Sequence, residues 1–415
     1  MTPEIKHRIE QIRRGEVPEG YVKTALGLAP ANWKRYTFGD IYTERKEPGD
    51  ENLPLLMVSI HSGVSDGEVD AAELPKQVKR IEDKSQYKKA VSGDLVFNMM
   101  RAWQGAIGTV RTTGMVSPAY IVAEPNDKAY PLFMDYYSRT PQMINQIDRQ
   151  SYGVTDFRKR LYWDSFAPIS CTLPPIEEQQ KIAAILTTQD RVIELKEKCL
   201  AEKQRQKKYL MQQLLTGKKR LLGFNGAWKT DCLGKLFFER KETNCENIEM
   251  LAITGTQGII PRKELDLKDN SSEDKSKYLR VCVGDIGYNT MRMWQGVSAY
   301  SNYEGIVSPA YTILKPSSSI NAKYFAYLFK MSEIVFLFYR FSQGLVDDTR
   351  NLKYENFKKI KVCYPPDIKE QTAIAEVLSA ADREIELLQQ DIEQEKQKEK
   401  ALMQLLLTGI VRVKI

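Results

Sequence analysis

The sequence predicts an α+β protein written twice. Two α+β domains are each followed by a long helix, and the two helices pair antiparallel as a coiled coil in a pseudo-twofold arrangement. Three observations carry this reading. Short motifs recur at a nearly constant offset, each copy passes from mixed β and helical character into an uninterrupted polar helix, and apolar residues recur every seven along both helices.

The repeat comes first, since missing one misreads the architecture. Trp33 and Glu44-Arg45-Lys46 return 195 residues on as Trp228 and Glu239-Arg240-Lys241. "NMMRAWQG" (98–105) returns 191 residues on as "NTMRMWQG" (289–296), and Ser117-Pro118-Ala119-Tyr120 as Ser308-Pro309-Ala310-Tyr311. Pro174-Pro175, Glu178-Gln179, Asp190-Arg191 and Leu215-Thr216-Gly217 match Pro365-Pro366, Glu370-Gln371, Asp382-Arg383 and Leu407-Thr408-Gly409. A period this long means duplicated domains rather than a solenoid.

The elements follow in order. Residues 1–32 form an N-terminal arm, 33–173 a first domain, 174–216 a first helix, 217–227 a linker, 228–364 a second domain, 365–409 a second helix and 410–415 a tail. Within the domains, "LVFNMM", "AYIVAEP" and "AYTILKP" read as strands, and 321–338 as helical. Prolines open each long helix, glutamates fill its first turn, Asp367 with Glu370 reads as a capping box, and Gly217 and Gly409 suit the residue after the last turn. The heptad positions are Leu186, Ile193, Leu200 and Leu214 in one helix and Leu378, Ile385, Ile392 and Leu406 in the other. Charge along them is opposite: 191–208 holds seven Lys/Arg and three Glu, 383–400 four Lys/Arg and six acids. That complementarity argues for pairing within one chain, which places the arm near the end of the second helix.

Composition excludes more than it identifies. The 415 residues are 42% hydrophobic, and 61 Lys and Arg against 54 Asp and Glu leave a charge of +7, which permits a polyanionic partner without requiring one. No apolar run suits a membrane span or signal peptide, so a cytoplasmic location is expected. Six scattered cysteines and two histidines suggest neither disulfides, nor a metal, nor a histidine base. No Walker A loop, methyltransferase Asn/Asp-Pro-Pro-aromatic turn or nucleophile triad occurs. The expectation is a non-catalytic chain that binds no cofactor itself.

Two variable α+β domains, each followed by "LPPIEEQQKIAAIL…D" or "YPPDIKEQTAIAEVL…D" and a helix ending "LLTG", closely resemble the specificity subunits of type I restriction-modification systems. The resemblance implies that each domain is a target recognition domain reading one half of a bipartite double-stranded DNA sequence. It also implies that the helices fix the gap between halves and dock modification (methyltransferase) subunits, two of them, which methylate adenine with S-adenosylmethionine. Restriction subunits would join them. Two other classes stand beside it: a single-chain methyltransferase or nuclease with an unrecognised active site, and a coiled-coil scaffold without a DNA role.

Positions shared by both copies cannot tell two half-sites apart, so they suit scaffold or phosphate contacts, and base readers belong where exposed polar residues differ. Arg101, Trp103 and Gln104, with Arg292, Trp294 and Gln295, read equally as phosphate grips beside an aromatic platform and as a structural turn. The copy-specific stretches are 61–80 against 256–270 and 151–160 against 342–351. From them come Arg158, Lys159 and Arg160 in the first domain and Gln257, Arg262, Arg350 and Asn351 in the second, side chains suited to paired hydrogen bonds with guanine or adenine.

Overall fold

The computed structural model describes residues 3–24, 27–50, 52–60, 63–65, 86–155, 158–245, 248–255, 257–265 and 274–414. It divides into two compact units, residues 1–195 with 392–415 and residues 196–391. Each unit therefore holds one α+β domain, one half of each long helix and, in the first unit, the N-terminal arm.

The first unit is built on a four-stranded antiparallel sheet in the order Tyr42–Arg45, Tyr120–Pro125, Leu95–Asn98, Ile107–Thr109. The second repeats it strand for strand: Phe237–Glu239, Tyr311–Pro316, Ile286–Asn289, Ser298–Tyr300. A separate ladder pairs the domain's entry with its exit, Lys34–Thr37 with Ser170–Leu173 and Lys229–Cys232 with Lys361–Tyr364. This fixes where each long helix begins. The stretch 321–338 is not one helix but two, Ala322–Leu328 and Ser332–Phe341, because Met331 turns extended and sinks into the core. The first domain breaks at the same place, where Thr140 caps a helix that opens with Pro141.

The repeated motifs are the joints of this scaffold. Arg45 grips the buried Asp94 with Nε at 2.8 Å and Nη2 at 3.2 Å, and Arg240 grips Asp285 at 2.8 and 3.1 Å. Each aspartate also accepts the amide three residues before it, from Val91 or Cys282, so one carboxylate ties a turn to a strand. Gln179 accepts from the Tyr130 amide at 2.8 Å and Gln371 from that of Asn321 at 2.7 Å, stapling each helix start to its domain.

The long helices run Ile176–Leu214 and Ile368–Leu407. Asp367 accepts the Lys369 amide, but Glu370 does not complete the anticipated capping box. Its carboxylate instead takes Arg220 at 2.5 and 2.7 Å, as Glu178 takes Arg412 at 2.6 and 2.8 Å. In the second unit Lys196 pairs with Asp391, Lys203 with Glu384 and Lys207 with Asp382; partner numbers fall as helix numbers rise, which makes the helices antiparallel. In the first, Gln189 donates to Glu395. The heptad residues divide their work. Leu186 and Leu406 belong to the first domain's core and Leu214 and Leu378 to the second's, while Ile193 and Ile392 are buried and Leu200 and Ile385 half-buried along the helices. Both helices end at a left-handed glycine, Gly217 and Gly409, against Trp228 and Trp33. The N-terminal arm meets that end: the Tyr21 hydroxyl donates to the Gly409 carbonyl at 2.7 Å, and Arg8 to Ile410 at 3.2 Å.

Candidate nucleic-acid interface

Each shared string leaves the sheet at an asparagine and closes at once into a turn. Asn98 and Asn289 end their strands and accept the amides of Met100 and Met291 through Oδ1 at 2.9 and 3.0 Å. A single 3-10 turn follows, Ala102–Gln104 or Met293–Gln295, ended by Gly105 or Gly296 at positive φ, where a side chain would strain the backbone. The indoles satisfy themselves locally: Trp103 Nε1 donates to the Met100 carbonyl at 3.1 Å and Trp294 Nε1 to that of Met291 at 2.9 Å. What the turn offers to solvent is Arg101 and Gln104 in one copy, Arg292 and Gln295 in the other, all exposed.

The copy-specific loops rest on these turns. Residues 152–160 close on an antiparallel bridge between Tyr152 and Arg160, and 343–351 on one between Gln343 and Asn351. The next amide then docks onto the shared string: Leu161 N donates to the Met99 carbonyl at 2.8 Å, Leu352 N to that of Thr290 at 2.9 Å. The structure therefore joins two sets of residues that the sequence nominates separately.

Their roles within the loops differ. Arg158 is exposed. Lys159 is held by Asp148 at 2.7 Å with its ammonium 5.0 Å from the Trp103 ring centroid, and the half-buried Arg160 donates to the Lys159 carbonyl. Arg350 bonds Asp347 at 2.8 Å and the Tyr339 hydroxyl at 2.9 Å and lies 4.0 Å over that ring, which meets Trp294 edge-on. Asn351 Nδ2 donates to the Thr349 carbonyl, and its Oδ1 is buried. Lys159, Arg350 and Asn351 thus hold their loops in shape. Gln257 is exposed at the turn of the hairpin Leu251–Thr254/Gly258–Pro261, and the half-buried Arg262 follows that hairpin. Of the stretch 61–80 only 63–65 lie within the described residues.

Two contributors escape sequence reasoning. Tyr339 backs both Trp294 and Arg350, and no local pattern announces a ring that acts from a neighbouring helix. Lys330 donates to the Gly296 carbonyl at 2.8 Å, and burial, then Lys207, lowers its pKa to about 8. Arginine on a rigid turn, amide side chains beside it and, in the first domain, a loop rich in Arg and Lys make a surface suited to phosphate and base edges. Among the described residues no group of His, Cys, Asp and Glu could hold a metal ion, and no helix is long and apolar enough to cross a membrane.

Comparison with known proteins bears on the family and the fold. Residues 73–205 and 233–396 match the type I restriction modification DNA specificity domain, once in each copy. Over 95% of the chain it is 24% identical to the MjaX type I restriction enzyme specificity subunit of Methanocaldococcus jannaschii, covering 97% of that protein. To the MjaVIII specificity subunit of the same organism it is 25% identical over 80% of this chain and 83% of that one. The fold is similar to the type I restriction-modification S subunit from M. genitalium, with TM-score 0.56 and 12% identity over 92% of this chain and 97% of that chain. It is also similar to the HsdS subunit from Thermoanaerobacter tengcongensis, with TM-score 0.50 and 18% identity over 92% and 98%. Two sheets, two shared turns and two divergent loops are thus two copies of one DNA-reading domain, and the chain belongs to the type I restriction-modification DNA specificity family.

Proposed function

We propose that the first domain reads one half of a bipartite duplex target and the second domain the other, with Arg101 and Arg292 gripping phosphate from equivalent turns. Arg158, Gln104, Gln257 and Gln295 are the exposed candidates for contact with bases or backbone beside them. The observation that carries the reading is the docking of a divergent loop onto a closely similar turn in both copies, Leu161 on Met99 and Leu352 on Thr290. A common grip with interchangeable readers suits two different half-sites.

In this reading the paired helices set the gap between half-sites and dock two modification subunits. Leu195 and Leu387 hold equivalent places in the repeat, and both are exposed large apolar side chains on the long helices, which suits docking of like subunits at like sites. Those subunits would bind S-adenosylmethionine and methylate adenine, and restriction subunits would join the assembly. This chain supplies the address. The test is assembly of the full chain with its modification subunits, followed by methylation of duplex DNA in their presence and absence. Methyl transfer by the chain alone would replace this reading with that of a single-chain enzyme.

A further inference from the structure

Each docked loop carries a feature that neither phosphate contact nor hydrogen-bond readout uses. At its tip stands a bare apolar side chain, Val154 at 93% exposure in the first domain and Leu345 at 99% in the second, with Val346 and Tyr152 also exposed. The loops are closed structures. A Cβ on Gly153 would come within 2.5 Å of the Arg158 and Lys159 backbone, and one on Gly344 within 2.7 Å of Thr349, so the glycine lets two chain segments touch beneath the tip. Rigid support for a solvent-exposed valine or leucine wastes apolar surface unless something covers it.

We infer that Val154 and Leu345 are apolar base contacts, set by their closed loops against the base pairs of the duplex half-site that each domain reads. The inference rests on the DNA-reading function above and extends it. The surroundings favour DNA over a protein. Exposed Arg101, Arg149 and Arg158 in the first domain, and Arg292, Arg340 and Lys353 in the second, lie on the same turns, helices and loops. The two exposed apolar side chains of each loop, Tyr152 with Val154 and Leu345 with Val346, are far short of the roughly 800 Å² per partner of a stable protein interface, and exposed Asp347 is the acidic neighbour in the second loop. Cations that hold phosphate with an apolar tip that meets a thymine methyl or a base step form a known division of labour on DNA. The two tips share their apolar character and the glycine beneath them while most polar positions of the loops differ, so the tips supply contact at a fixed depth and their polar neighbours supply the choice of base.

The test uses the full chain with its modification subunits and duplexes carrying the sequence found methylated in cells. Leu345→Ser and Val154→Ser are each expected to weaken binding three- to thirty-fold with the salt dependence unchanged, since no phosphate contact is lost. Leu345→Met should restore most of the affinity, and mismatches in either half-site should keep their penalty in Leu345→Ser, since the polar neighbours choose the base. Serine variants that bind as the parent does would overturn the inference and leave the DNA-reading function standing; loss of subunit assembly with DNA affinity intact would overturn it in favour of a protein contact. A parent complex that binds no duplex would overturn both.

Discussion

The ammonium of Lys159 lies 5.0 Å from the centroid of the Trp103 ring, which sets a loop whose sequence differs between the copies upon a turn that both share. The contact stands beside the backbone bond from Leu161 to Met99. Variation in one loop is thereby held at a fixed position relative to an invariant grip.

If Arg101 and Arg292 hold phosphate, their loss is felt equally by all sequences. Arg101→Gln and Arg292→Gln should each reduce the slope of log affinity against log salt by roughly 1 while leaving the ranking of DNA sequences unchanged. Binding titrations at several salt concentrations measure this. A variant that relaxes one base position at constant slope would make the arginine a base reader.

The Arg45–Asp94 pair is buried and bidentate, and Asp94 also holds the Val91 amide. Asp94→Ala leaves the guanidinium only Glu47 and Glu124 and frees the Val91 amide, at a cost of about 1–3 kcal/mol. Urea unfolding should show that loss in the first unit, and Asp285→Ala the same in the second.

A pH effect separates the two units. In the second, Lys207 neutralises Asp382, which also accepts the Tyr327 hydroxyl. In the first, Glu399 occupies the place of Lys207, facing Asp190, whose Oδ2 takes the Tyr136 hydroxyl at 2.5 Å. Burial first, then the Asp190 charge, raises the Glu399 pKa, with Arg139 and Lys396 acting against the shift. A raised carboxyl pKa means stability is present below the ordinary glutamate value of about 4.3 and is lost as pH rises through the folded-state value. Glu399→Gln should therefore stabilise the chain at neutral pH, by a few tenths to about 1 kcal/mol after solvent screening, and change nothing in acid. Thermal unfolding across pH checks this; a variant less stable at neutral pH than the parent would contradict it.

The ruler role of the helices has a length scale. One heptad added to each long helix lengthens the pair by about 10 Å, close to three base pairs of rise. The gap between methylated half-sites should grow accordingly, as sequencing of methylated adenines would report. An unchanged gap would remove the helices from that role.

Much of this was legible in the sequence because the joints are short motifs whose two copies confirm each other. Arg45 with Asp94, Gln179 at the helix start and Gly217 at its end are visible as repeats before any contact is known. Heptad spacing gave the helix seam but not its division of labour. A leucine facing a domain core and one facing a helix have the same period, so Leu186 and Leu214 read alike until the cores are seen. Local pattern also misled where a distant partner won: Glu370 suits a capping box by spacing, but Arg220, 150 residues away, takes its carboxylate. The candidate site was half legible. Arg101 and Gln104 were found as part of a shared string, whereas the internal roles of Lys159 and Arg350 depend on Asp148, Trp103 and Tyr339, which no spacing connects to them.

Exchange of residues 33–173 for the first domain of another family member, followed by sequencing of methylated adenines in cells, tests the division of labour most directly. One half of the methylated sequence should change, while the other half and the gap stay as they were. A change in both halves, or in neither, would contradict that division.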